Sequence, residues 1–333
     1  MIILLTIALS VYGHCPGARE GEDVCIRASL AFSVPGLAKG ATLNGQAANR
    51  RVSLSDVTTS GAGLPNRCIL HGVEGILKTS FSACAPKPIF LLARGETGLL
   101  TLIDSGQVPE TAHLPELATW ADLLGAVEAL TTEAHDYRTV VIDALNGAER
   151  LCHEHVCSRD FAGNWGRDGF TSYMTGYEVA LADWRRLLDA LDRLRSSRRM
   201  SILALAHSRI TTFKNPEGSD YDRYTVDLHP KTWSLTHRWA DLVLFANFVA
   251  HIDARKGDAR GKARGGSRRV IYTTRTAAFD AKNRHGLPEQ IDAGRSAAEA
   301  WANFAAALQA GKQQSHTPAG GQQDQHDTSN SKE

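Results

Sequence analysis

Short apolar runs at 68–70, 89–93, 139–142, 201–206, 241–248 and 270–272 punctuate the chain from Arg67 onward. Runs this short and this uniformly apolar predict strands of a largely parallel sheet, buried on both faces. Between them Trp120, Leu123, Leu124, Val127 and Leu130 recur at helical spacing. So do Leu181, Trp184, Leu187, Leu188, Leu191 and Leu194, with Asp and Arg on the other side. Strands alternating with amphipathic helices predict an α/β fold with right-handed crossovers. A last helix is predicted over 297–308.

Outside this regular region the pattern lapses. Residues 1–65 are rich in Gly, Ala, Ser and Thr and read as a loosely structured extension; residues 66–310 read as the folded domain. The tail, 311–333, is dominated by Gln, Ser, His and Gly and lacks the apolar residues to fold alone. Residues 1–12 (MIILLTIALSVY) have the length of a signal-peptide core but lack the basic residues that precede one. They are too short to span a bilayer. A buried leading strand or a misassigned start codon is favoured over export.

Composition narrows the function classes. With 37 basic and 36 acidic residues the formal charge is +1, so no global field draws the protein to nucleic acid or membrane, and any such contact rests on local clusters. The six cysteines are too few and too scattered for a disulfide scaffold, which points to a reduced cytoplasm; the charge balance and the short apolar run predict no membrane partner.

The run 67–71 leads into Gly72, Val73, Glu74, Gly75, Ile76, Leu77, Lys78, Thr79 and Ser80. This approximates G-x-x-x-x-G-K-[ST] between a strand and a helix, a turn whose backbone N–H groups wrap a phosphate. In that reading Lys78 reaches the terminal phosphates and the Thr79 hydroxyl ligates Mg²⁺. Leu77 stands where the template has glycine. A left-handed conformation there costs a residue with a Cβ roughly 1–2 kcal/mol, which predicts about tenfold weaker nucleotide binding. Residues 139–143 (TVVID) deliver Asp143 to the sheet edge where ligands of open α/β sheets bind, placed to hold Mg²⁺ through water opposite Thr79.

Five segments in order carry a resemblance: 71–81 (HGVEGILKTSF), 90–99 (FLLARGETGL), 140–157 (VVIDALNGAERLCHEHVC), 203–224 (LALAHSRITTFKNPEGSDYDRY) and 279–288 (FDAKNRHGLP). Over 67–308 the chain resembles RecA-like P-loop ATPases of phages and bacteria, the AAA-labelled relatives of phage single-strand-annealing recombinases among them. The resemblance implies a RecA-like core, ATP as substrate, Mg²⁺ as cofactor, and Lys78, Glu96, Asp143 and His207 as catalytic groups. Glu96 would orient the attacking water, although many relatives carry the acid where this chain has Arg94. His207 would sense the γ-phosphate. Lys282 and Arg284, in a segment similar to the Lys-Asn-Arg-Phe-Gly motif of RadA-type ATPases with His285 for Phe, would reach the nucleotide of a neighbouring subunit in a ring or filament.

Two long loops are expected, 158–176 after the third of these motifs and 208–233 running out of the fourth; both interleave cations with aromatics, a pattern that suits single-stranded DNA. Their candidates are Arg159, Trp165, Arg167, Arg209, Lys214 and Arg223. A third stretch, 255–269, holds seven basic residues, Lys256, Arg260, Lys262 and Arg264 among them, suited to phosphate backbones. Cys152, His153, His155 and Cys157 invite a zinc reading, but their spacing gives no four-ligand cluster and a helix beside the sheet is the default. The expected function is an oligomeric, ATP-hydrolysing DNA-binding protein of phage recombination or replication type. The alternative is a relative whose phosphate loop has decayed at Leu77 and which binds nucleic acid or assembles without hydrolysis.

Overall fold

The computed structural model divides the chain into two units, Met1–Thr59 and Ser60–Glu333. It describes residues 53, 54, 57–59, 61, 63–253 and 262–314, with backbone alone at 250–253, 262–265 and 314. The apolar run at 1–12, nearly all of the N-terminal extension and the tail beyond 314 lie outside the described residues, as do Lys256 and Arg260.

The centre of the second unit is a parallel sheet. β1 (Arg67–Gly72) lies between β5 (Ser201–Phe213) and β7 (Leu242–Asp253). Beyond β5 come β4 (Thr139–Asp143), β2 (Pro88–Leu92) and the short β3 (Ala112–His113), all parallel. On the other side β8 (Lys262–Tyr272) and β10 (Gln290–Asp292) continue the sheet antiparallel, and β9 (Lys282–Asn283) pairs with the start of β7.

The apolar runs are continuous because each strand is covered twice. Ile69, Ile89, Leu91, Val140, Ile142, Ile202 and Ala204 pack on one face with α3 (Trp120–Thr132), α4 (Leu145–Asp160) and α5 (Thr175–Arg198). Their neighbours Cys68, Leu70, Phe90, Leu92, Val141, Leu203 and Leu205 pack on the other. There they meet α1 (Lys78–Ala83), α2 (Gly98–Asp104) and α7 (Ala297–Gln314) through Phe81, Leu99 and Phe304. Successive strand residues point to opposite faces, so only an uninterrupted apolar run satisfies both layers. Thr119 starts α3 with a reciprocal cap to Asp122, and Trp120 stacks on Trp184 of α5 at 6.1 Å.

Two boundaries differ from expectation. The last helix extends to Gln314, beyond the expected end at Leu308. The stretch 208–233, expected as a loop, is built: β5 runs past the sheet to Phe213 and turns back as β6 (Tyr221–Val226), and α6 (Pro230–Trp239) follows. Its Thr, Tyr and Phe residues favour a paired ribbon, a pattern that the intervening charges obscure in the sequence.

Candidate functional site

Strand register brings four chain positions to one edge. Gly72 lies opposite His207, and Leu92 opposite Asp143. Parallel strands end on one side, so the loops that follow them share a crevice. An open cleft of about 380 Å³ lies there, lined by Glu74, Lys78, Thr79, Glu96, Asp143 and His207 among others.

The turn out of β1 explains its own sequence. A Cβ on Gly72 would meet the carbonyl oxygen of Ala246 at 2.3 Å, so a larger residue would push β7 away. Gly75 is left-handed at φ +70°, and so is Leu77 at φ 74°, ψ 24°. The template glycine position therefore keeps its backbone conformation although a leucine occupies it. Leu77 borders both the cleft and an apolar crevice that Leu70, Ile76, Phe81 and Ile271 help to form.

The side chains that follow converge. The Lys78 ammonium donates to the carbonyls of Gly72 at 3.0 Å and Val73 at 2.9 Å, closing the loop on itself. Burial lowers its pKa, while Asp143, Glu74 and Glu96 oppose the shift. The Thr79 hydroxyl donates to Asp143 Oδ2 at 2.9 Å. Asp143 is 7% exposed; burial pushes its pKa up to about 6, Glu96 adds to this, and Thr79, His207 and Lys78 pull the other way. A buried carboxylate beside a hydroxyl, short of positive charge, offers the hard oxygen donors that Mg²⁺ takes. These residues fit that ion.

His207 Nε2 lies 3.7 Å from Glu96 Oε1, and this contact is the main reason its pKa rises, against burial and Lys78. Its backbone is fixed on both sides: Asn146 Oδ1 accepts its N–H at 2.9 Å, and its carbonyl accepts from Asp227 N at 2.9 Å. Arg94 faces away from the cleft. Its Nη2 donates to both oxygens of Glu154 on α4, at 2.5 and 2.6 Å.

A lysine-bearing turn between a strand and a helix defines a P-loop. Its threonine touches the carboxylate that ends β4, and β5 lies between that strand and β1. The architecture is that of a RecA-like P-loop nucleotide-binding core, with the site at the C-terminal edge of the sheet. Residues 64–285 match the AAA domain family, and the chain belongs to it. Among solved structures the RadB recombinase is similar at a TM-score of 0.34 and 10% identity, over 63% of this chain and 80% of that one. A likeness so distant adds nothing to the fold read from the strands. No curated protein matches the sequence.

The remaining candidates fall in different places. Lys282 Nζ donates to the carbonyls of His237 at 2.6 Å, Arg238 at 3.2 Å and Ala240 at 2.7 Å, closing the C-terminal end of α6 within its own chain. A contact to a neighbour's nucleotide would require it to leave all three. Arg284 is freer, 52% exposed and 3.8 Å from Asp241. Pairing of Lys282 with Val243 and Asn283 with Leu242 places this segment at the N-terminal end of the strands, opposite the cleft.

Of the cations read as nucleic-acid contacts, Arg159 bonds Asp160 and the buried Asp183, and Arg223 is 7% exposed beside Asp280. Neither faces solvent as a free charge, because each compensates a carboxylate of its own fold. Arg209 faces Asp227 at 3.4 Å, and Lys214 meets Asp220 at 2.5 Å near the hairpin tip. Trp165, Arg167 and Tyr173 are exposed, Tyr173 almost completely at 99%. Lys262 and Arg264 lie on β8, paired with Asp253 and His251 in an arm whose tip is outside the described residues. Cys152 and Cys157 are buried in α4 as free thiols, and no metal-binding cluster occurs among the described residues. The hold of Asn146 and Asp227 on the His207 backbone and the pairing of Arg94 with Glu154 have no counterpart among the sequence expectations. The one legible signal is Asn146, three residues after Asp143.

Proposed function

We propose that the protein binds ATP with Mg²⁺ in this cleft and hydrolyses it. The observation that carries the reading is the 2.9 Å contact between Thr79 and Asp143, with Lys78, Glu96 and His207 bordering the same cleft. Thr79 and Asp143 would hold Mg²⁺, which when bound neutralises charge on the phosphates. Val73, Glu74, Gly75, Ile76, Leu77 and Ser80 supply the backbone of the cradle, and Lys78 exchanges the carbonyls of Gly72 and Val73 for phosphate oxygens. Glu96 orients the attacking water, and His207 reads the state of the last phosphate. Replacing Lys78→Ala tests this: turnover present in the wild type is lost in the variant, and a wild type that neither binds nor hydrolyses ATP rejects the reading.

The partner we propose is single-stranded DNA, in recombination or replication, engaged by a homo-oligomer. Exposed Trp165, Arg167 and Tyr173 after α4 offer stacking and charge, and the hairpin carrying Arg209 and Lys214 adds cations after α5. Arg284, at the end of the sheet opposite the cleft, suits head-to-tail assembly in which it meets the neighbour's nucleotide. The four described cysteines are free thiols, consistent with a cytoplasmic protein, and no described helix is long and apolar enough to cross a membrane. A second reading, assembly without hydrolysis, is favoured by one observation: Lys78 is held by its own loop beside a left-handed leucine. Binding of single strands that ignores ATP would select it.

A further inference from the structure

The turn that carries Glu96 is held by three side-chain contacts to its first residue. Arg94 Nη2 donates to both carboxylate oxygens of Glu154, and its Nη1 reaches the carbonyl of Ala118 before α3 at 3.5 Å. Arg150, one turn before Glu154 on α4, donates to the carbonyl of Arg94 at 2.9 Å. The turn is short, with Gly95 left-handed at φ +89° and Glu96 N–H bonded to the Ala93 carbonyl at 2.9 Å. α4 also lies hard against its base: a Cβ on Gly147 would fall 2.5 Å from Ala93 Cβ. Glu96 itself has one side-chain partner near, His207 at 3.7 Å.

We propose that Arg94 is a positioning residue, which through Glu154 and Arg150 fixes the turn so that the Glu96 carboxylate faces His207 and the cleft. The device rests on the ATP-hydrolysing role given above for Glu96. The residue two positions before Glu96 is thereby an anchor, turned onto α4. Arg94 does not line the cleft, and its nearest link to the site is the turn that carries Glu96.

The test compares Arg94→Ala and Glu154→Gln with Glu96→Gln. The first readout is the imidazole pKa of His207, followed by NMR in the nucleotide-free protein. His207 faces Glu96 from the turn after β2, Asp143 from β4 and Lys78 from α1; of these only Glu96 lies on the turn that Arg94 anchors. The expected result is a His207 pKa lowered in both anchor variants toward that of Glu96→Gln. The second readout is ATP turnover, where kcat falls by roughly ten- to a hundredfold while KM stays near the wild-type value. A His207 pKa unchanged in Arg94→Ala and Glu154→Gln overturns the proposal, as does one unmoved by Glu96→Gln itself. Because the titration needs no nucleotide, a lowered pKa without any ATPase activity in the wild type would retain the anchor and reject the catalytic role of Glu96. Arg94 and Glu154 are both surface side chains, 41% and 36% exposed, so their loss leaves the core intact.

Discussion

Replacing Leu77 separates two effects that the sequence runs together. Its backbone is left-handed, at φ 74° and ψ 24°. That conformation costs a residue with a Cβ roughly 1–2 kcal/mol, and glycine escapes the penalty. Against this, glycine has more freedom in the unfolded chain, which costs about 0.5–1 kcal/mol relative to alanine. Leu77→Gly and Leu77→Ala both empty the same apolar crevice, so the difference between them isolates the backbone. Leu77→Gly should be the more stable of the two, by on the order of 1 kcal/mol in urea unfolding. At an ordinary right-handed position the order reverses. An alanine variant as stable as the glycine variant, or more so, refutes the reasoning. Nucleotide affinity is a different matter. The expected tenfold weakening holds where the strain is met on binding; where it is met in folding, a fluorescent ATP analogue binds wild type and Leu77→Gly with Kd values within about threefold of each other. A gain of tenfold or more would mean that the strain is met on binding or that the leucine side chain overlaps the phosphate position.

Asp143 has a pKa of about 6 against an ordinary 3.8. The folded protein therefore holds its proton more tightly than the unfolded chain. Its contribution to stability is fully present below the ordinary value and is lost as pH rises through about 6, and Asp143→Asn should remove that slope from urea midpoints. Affinity for Mg²⁺-ATP should move the other way, rising over the same interval as the anion forms, which calorimetry across pH checks. Lys282→Ala should lower stability by about 1–2 kcal/mol through the freed carbonyls of α6. Arg284→Ala should leave the urea midpoint in place and abolish turnover in the assembled protein; equal stability losses in both would undo the distinction. Trp165→Ala and Tyr173→Ala should each weaken single-stranded DNA binding by about five- to a hundredfold in anisotropy titrations, with little change in ATP affinity.

The difference between what the sequence discloses and what it hides follows from where each partner sits in the chain. Core strands are legible because burial on both faces leaves an apolar run that needs no knowledge of the neighbour; Val140, Val141 and Ile142 meet opposite layers and are apolar for both. The phosphate loop is legible for the same local reason, since its turn, its lysine and its threonine are consecutive. Cations are illegible because what decides their role lies elsewhere. Arg159 is 24 residues from Asp183, Lys282 is 42 from the Ala240 carbonyl, and Arg94 is 60 from Glu154. Each reads as a free charge in the sequence and is a tie within the fold. A buried or half-buried carboxylate or a bare helix end must find its compensating charge. It follows that the cations left for an external anion are those that no acid of the fold claims. Arg167 remains on that criterion among the described candidates, and the half-exposed Arg284 is held only at 3.8 Å from Asp241, so a search for binding residues in this domain should start from the acids it buries.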